Sequence, residues 1–175
     1  MDANDQPIAL ITGASSGLGE AFARHWREHG FRVVAVSRRA PAPGVADDFL
    51  EADLTGAGEA ERVFAEFSAR YNRLDVLINN AGIGAYAAWE ELPEKEWRRL
   101  MELDLFAPVT LTRLAIPKLR QTRGCIINIS SVAGLVAVPG MGAYSAAKSA
   151  LLAFSETLGA ELVGVKLADA IHDDG

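Results

Sequence analysis

Residues 7–19 read PIALITGASSGLG: a short apolar run, a glycine-rich turn, and then helical periodicity from Gly17 to His29. Pro7 to Thr12 has the length and unbroken apolar character of a buried strand, and Gly30 stops the helix that follows. Glycine spacing alone is a weak signal, but between a strand and a helix it acquires meaning. Gly13 permits a tight turn, Gly17 lets the backbone approach a diphosphate, and Gly19 lets helix and strand pack closely. The first amides of the helix, which have no partner within it, offer N–H groups and partial positive charge to an anion.

The same alternation continues along the chain. Arg32 to Ser37 (RVVAVS) is a valine-rich second strand, and Asp48 to Ala52 a short third. Val63, Phe64, Phe67 and Tyr71 share one face of a helix from about Gly58 to Arg70. Leu74 to Asn79 is the fourth strand, and Glu94 to Arg120 is helical with a break or new first turn at Pro108. Cys125 to Ser130 is the fifth strand. Tyr144 to Val163 is a long helix with apolar and small residues on most sides. Strands alternating with helices predict an α/β fold, and 175 residues suit one domain, 1–175. The expectation is a doubly wound parallel sheet in the order 3-2-1-4-5, with its ligand crevice between strands one and four, where the strand order reverses.

Hydrophobic residues make up 50% and charged residues 23% of the chain, an ordinary globular balance. A net charge of −6 argues against nucleic acid, which needs a basic face. Cys125 is the one cysteine, so no intrachain disulfide is expected, and a reducing, cytoplasmic setting follows. The opening MDANDQPIALITG lacks a basic and long apolar leader, and no segment has the length of a membrane span. His25, His29, His172 and Cys125 have no metal-ligand spacing, so no metal is expected.

At the end of strand two, where a carboxylate would hold the ribose 2′-hydroxyl of NAD, stand Ser37, Arg38 and Arg39. A guanidinium fork suits a 2′-phosphate, so NADP(H) is favoured over NAD(H). Further on, Tyr144 and Lys148 lie four residues apart in the long helix, on one face. A free phenol titrates near pH ~10, and a neighbouring cation lowers that value towards the range useful for proton transfer. Ser131 lies just past strand five, where strand ends face the crevice. Its hydroxyl either holds a carbonyl oxygen or caps a turn.

Together TGASSGLG, the Asn-Asn-Ala-Gly of Asn79 to Gly82, Ser131 and the Tyr144/Lys148 pair resemble the short-chain dehydrogenase/reductase family, over about Ile8 to Leu162. The resemblance implies a Rossmann-like fold and a hydride transfer between NADP(H) and a ketone, aldehyde or secondary alcohol. It implies that Tyr144 is the general acid/base, that Lys148 lowers its pKa and holds the nicotinamide ribose, and that Ser131 orients the substrate oxygen. The cofactor would lie along Gly13, Ser15, Ser16, Gly17, Leu18 and Gly19, then Ser37, Arg38 and Arg39, and along Asn80, Ala81 and Gly82. Asp53 and Leu54 would meet the adenine; Asp53 reads equally well as a helix cap before Thr55. Helices 94–120 and 144–163 resemble the family's dimer-forming pair and imply a homodimer or homotetramer. Tyr86 and Trp89 are either pocket-wall residues or a surface aromatic loop.

Two departures from that pattern stand out. In MELDLFAP the family's asparagine, beside a helix bend whose free carbonyl holds a relay water, is replaced by Asp104; its carboxylate could pair with Lys148, and its backbone carbonyl could still hold the water. In GVKLADAIHDDG, residues 164–175, Val165 to Leu167 could begin a strand, but Ala168 to Gly175 has no strand pattern or Pro-Gly to continue the family's sheet. The chain therefore reads as C-terminally short, with strand five an exposed edge. The alternative function is a nucleotide-binding core with weak or no turnover.

Overall fold

The computed structural model describes residues 6–172. The polar start of the chain, residues 1–5, and the end of the 164–175 segment, residues 173–175, lie outside the described residues. The elements run β1 Ile8–Thr12, α1 Gly17–Glu28, β2 Arg32–Ser37, β3 Asp48–Glu51, α2 Glu59–Arg70, β4 Val76–Asn79, α3 Glu94–Met101, a π-helical turn Glu102–Phe106, α4 Ala107–Thr122, β5 Cys125–Ser131, a 3₁₀ turn Val132–Gly134, α5 Gly142–Glu161 and β6 Lys166–His172. All strand pairs are parallel, in the order β3-β2-β1-β4-β5-β6. Among the described residues no helix is long and apolar enough to cross a membrane.

One face of the sheet is covered by α2, α4 and α5 and the other by α1 over β1 and β2, which is why the central strands read as apolar runs rather than alternating ones. In register across the sheet, Val34, Leu10, Leu77, Ile126 and Leu167 form one row. That row packs with Phe67 of α2 and with Leu111 and Leu119 of α4. The neighbouring row of Ala35, Ile11 and Ile78 faces the other way, towards Ala23 and Trp26 of α1. Phe67 is fully buried, so truncating it to Ala would cost about 3–5 kcal/mol.

One expectation needs correction. The sheet does not end at β5: β6 pairs with it along its whole length, from Cys125↔Lys166 to Ser131↔His172, and the edge passes to β6. The strand escapes a reading of periodicity because Asp169 sits between Leu167 and Ile171 on the face turned towards α5, where its carboxyl meets Ser155. After β4, Pro108 falls in the first turn of a new helix, α4, as expected, but the form of the break before it was not expected. Four residues before that proline the α-helical pattern gives way to a π turn centred on Asp104. Pro108 has no N–H to donate to the Asp104 carbonyl, so the ordinary pattern cannot close there.

Candidate functional site

The crevice opens where β1 and β4 part at their C-terminal ends. Thr12 joins the two walls: its Oγ1 accepts from the amides of Asn80 and Ala81, each at 3.0 Å, and its carbonyl accepts from Asn80 Nδ2 at 3.0 Å. Below this junction lies a cleft of about 290 Å³.

The loop from β1 to α1 forms one end of that cleft. Gly13 has φ +70°, and a Cβ there would meet Asn80 Nδ2 at 2.8 Å. A Cβ at Gly19 would lie 2.2 Å from the Gly13 carbonyl oxygen, so α1 can reach the loop only without one. Gly17 faces open space. Ser15 and Ser16 line the cleft, and the Ser16 side chain makes no capping bond to the first amides of α1. Those amides point to where an anion would sit.

The other end lies beyond β2. Ser37 is buried and donates to the Arg39 carbonyl at 2.8 Å, while Arg38 and Arg39 line the cleft. Asp53 Oδ1 accepts from the Thr55 amide and hydroxyl, so the turn-capping role is present, and the same residue also lines the cleft beside Leu54. Its pKa is held below the usual carboxylate value, chiefly by the Thr55 hydroxyl, with Arg38 and Arg99 adding to this and burial opposing it. Asn80, Ala81 and Gly82 form the β4 wall. Arg99 and Leu103, from the helix after β4, also line it and were not expected from the sequence. Their four-residue spacing, one helical turn, was the available signal.

A second cleft of about 240 Å³ adjoins the first at Asn80, Gly82 and Ile83. Tyr144 and Lys148 of α5 open into it, with Leu18, Ser130 and His172. Both α5 side chains are almost entirely buried. Lys148 Nζ donates to the Ile129 carbonyl at 3.0 Å and lies 5.6 Å from the centroid of the Tyr144 ring. It stands 3.7 Å from Asp104 Oδ2, so the pairing that the sequence left open is present. Asp104 is fully buried, and its Oδ1 accepts from the Ile83 amide at 2.9 Å. Ser131 is buried at the end of β5, where its Oγ accepts from the Ala133 amide at 3.0 Å, the turn-capping bond. Tyr86 and Trp89 are exposed, and approach Gly140 and Gly142 at the start of α5. His172, from the unforeseen strand, is a further side chain on this cleft.

The family model described as short chain dehydrogenase matches residues 7–168. The chain is 38% identical over 157 residues to a 3-ketodihydrosphingosine reductase of Bacteroides thetaiotaomicron, covering 89% of this chain and 58% of that protein. It therefore spans less than two thirds of that relative's length. A metagenomic short-chain oxidoreductase solved in complex with NADP superposes with a TM-score of 0.87 at 31% identity, over 94% of this chain and 81% of that one. A 4-hydroxyisoleucine dehydrogenase complexed with NADH gives 0.85 at 27% identity, over 94% and 74%.

Proposed function

The chain belongs to the short-chain dehydrogenase family, and we propose that it is an oxidoreductase that moves a hydride between NADP(H) and a ketone, aldehyde or secondary alcohol. The observation that carries this reading is that the two clefts share Asn80, Gly82 and Ile83: the glycine loop before α1 lines one, and the buried Tyr144/Lys148 pair opens into the other. The residues present fit the dinucleotide. Gly13 and Gly19 leave the loop without side chains, Gly17 faces open space, and Arg38 and Arg39 meet a 2′-phosphate where NAD enzymes place a carboxylate.

The nicotinamide supplies or accepts the hydride. The chain's own residues handle the proton and the geometry. Tyr144 gives a proton to the carbonyl oxygen in reduction and takes it back in oxidation, through its phenol oxygen. Lys148, held by the Ile129 carbonyl, places positive charge near that phenol and favours its ionised form. Ser131 orients the substrate oxygen from the end of β5. Asp104 fixes Lys148 and ties the Ile83 amide to the same point. The reading includes a homodimer or homotetramer through α4 and α5, supported by exposed Phe106 and the small exposed Ala146, Ala153 and Ala160. Packing helices closely requires small residues of this kind.

The test is a thermal-shift titration with NADPH and NADH side by side, followed by NADPH consumption against a ketone and aldehyde panel. NADPH at about 100 times its dissociation constant should add roughly 2.7 kcal/mol of stability, and at least one carbonyl should be reduced. Protection by neither nucleotide would overturn the reading. Protection without turnover of any carbonyl would leave a nucleotide-binding protein in its place.

A further inference from the structure

We infer that Arg99 covers the adenine ring of the bound nucleotide, and so sets the affinity for the adenosine half irrespective of the 2′-phosphate. This deepens the proposed nucleotide reading and rests on it. The adenosine end of the larger cleft has two walls. One, at the ends of β2 and β3, carries Arg38, Asp53 and Leu54; the other, on the helical segment after β4, carries Arg99 and Leu103. Leu54 and Leu103 are buried apolar side chains, so the slot has the apolar sides that a flat purine needs, with charge at its rim. The phosphate-reading arginines stand at the end of β2. Arg99 approaches from the opposite wall and is therefore placed over the base. Both Arg38 and Arg99 exert their fields on Asp53, which puts all three at the same end of the cleft.

Arg99 is also available for the task, unlike its neighbour. Arg98 is engaged twice, with Glu94 at 2.7 Å and over the Trp97 ring at 4.9 Å. Arg99 stands 3.7 Å from Glu96, with side-chain exposures of 36% and 47%. An exposed pair at that distance is worth little, so the guanidinium turns towards a ligand at small cost. A guanidinium is planar and stacks on a base face, which an ammonium cannot do. Asp53, ionised at neutral pH, is an acceptor for an exocyclic amino group at the same edge.

The experiment titrates the 175-residue chain calorimetrically with AMP and with 2′,5′-ADP, for the parent and for Arg99→Ala, Arg99→Lys and Arg38→Ala. Arg99→Ala should weaken both ligands by the same factor, about two- to fivefold. Arg99→Lys should weaken them nearly as much, and Arg38→Ala should weaken 2′,5′-ADP alone. Unchanged AMP binding in Arg99→Ala would overturn the inference. So would a loss confined to 2′,5′-ADP, or full recovery in Arg99→Lys, since either would make Arg99 a simple charge. A parent that binds neither ligand would overturn the nucleotide reading itself, and the inference with it.

Discussion

Replacing Asp104 by Asn isolates the buried charge pair beneath the Tyr144 site. The carboxylate is fully buried and Lys148 is 4% exposed, with Oδ2 and Nζ 3.7 Å apart. At an effective dielectric constant of about 20, the attraction over that distance is roughly 4 kcal/mol. Much of it is offset by the desolvation of both groups, so the pair as a whole adds less than this to stability. Removing one partner is different, because it strands the other charge in the interior, at a cost of about 3–5 kcal/mol. Asn keeps an acceptor for the Ile83 amide, and Lys148 keeps the Ile129 carbonyl. The expected loss therefore lies at the lower end, about 3 kcal/mol, or roughly 6–12 °C in melting temperature for a chain of this size. Urea unfolding would measure it at low and high salt, with little difference between them because ions do not reach a buried pair. The double variant Asp104→Asn/Lys148→Met removes both charges and should regain most of the loss. A single-variant cost below about 1 kcal/mol, or a double variant no more stable than the single, would refute the reasoning. If the parent oxidises an alcohol, the Asp104→Asn variant should reach full rate at lower pH, since no carboxylate then offsets the ammonium's field at Tyr144.

Three further perturbations probe other parts of the molecule. Arg38→Ala should weaken NADPH about tenfold and leave NADH nearly unchanged, the lower end of the ~1.5–3 kcal/mol for charged hydrogen bonds because the side chain is exposed; equal losses for both cofactors would sink the assignment. Tyr144→Phe should retain nucleotide binding and lose ~10²–10⁴-fold in turnover, and a variant within a few-fold of the parent would mean that the proton comes from elsewhere. Asp169 has its pKa raised, chiefly by burial and further by Glu156, against the Ser155 hydrogen bond. An acid with a raised pKa in the folded state binds more protons folded than unfolded, so its contribution to stability falls as pH rises from the ordinary Asp range through the folded value. Asp169→Asn should therefore be the more stable form above that window, by no more than about 1 kcal/mol because solvent still reaches the group. Melting curves from pH 4 to pH 8 that stay parallel for the two proteins would count against it.

The parts of the fold that could be read from the sequence are those in which one residue type answers one local demand. The β1 run ends in glycines that the observed turn requires at Gly13 and Gly19, and β2 has the bounds expected from its valine-rich run, Arg32–Ser37. β4 is two residues shorter than the apolar run Leu74 to Asn79, because Leu74 belongs to the core without belonging to the ladder. What stayed hidden depends on partners far away in sequence. Asp169 looks like a strand breaker until Ser155 is placed beside it. Arg99, in a helix rich in charge, reads as part of a solvated face. Pro108 announced a break but not its form, since a π turn and a simple kink both satisfy a missing N–H.

The position of α5 shows how such distant partners decide the site. Its apolar and small residues lie on most sides, so hydrophobic pattern alone does not fix its rotation. A row of buried polar groups supplies that information. Asn79 Nδ2 donates to Thr112 Oγ1 on α4 and to Asn128 Oδ1 on β5, and Asn128 Nδ2 donates to Ser155 Oγ on α5 at 2.8 Å. Asn79, Asn128 and Asp169 are in register on adjacent strands, so one row crosses β4, β5 and β6. Turning α5 about its axis would take Ser155 from Asn128 and leave a buried amide unpaired, a penalty of about 1–3 kcal/mol. Slipping β5 by one residue would turn Asn128 to the opposite face. Ser155 lies about three helical turns beyond Tyr144 and two beyond Lys148, on the same face. The hydrogen bond that fixes Ser155 therefore also fixes the direction in which Tyr144 and Lys148 point, and the site inherits its geometry from a polar row that never touches it.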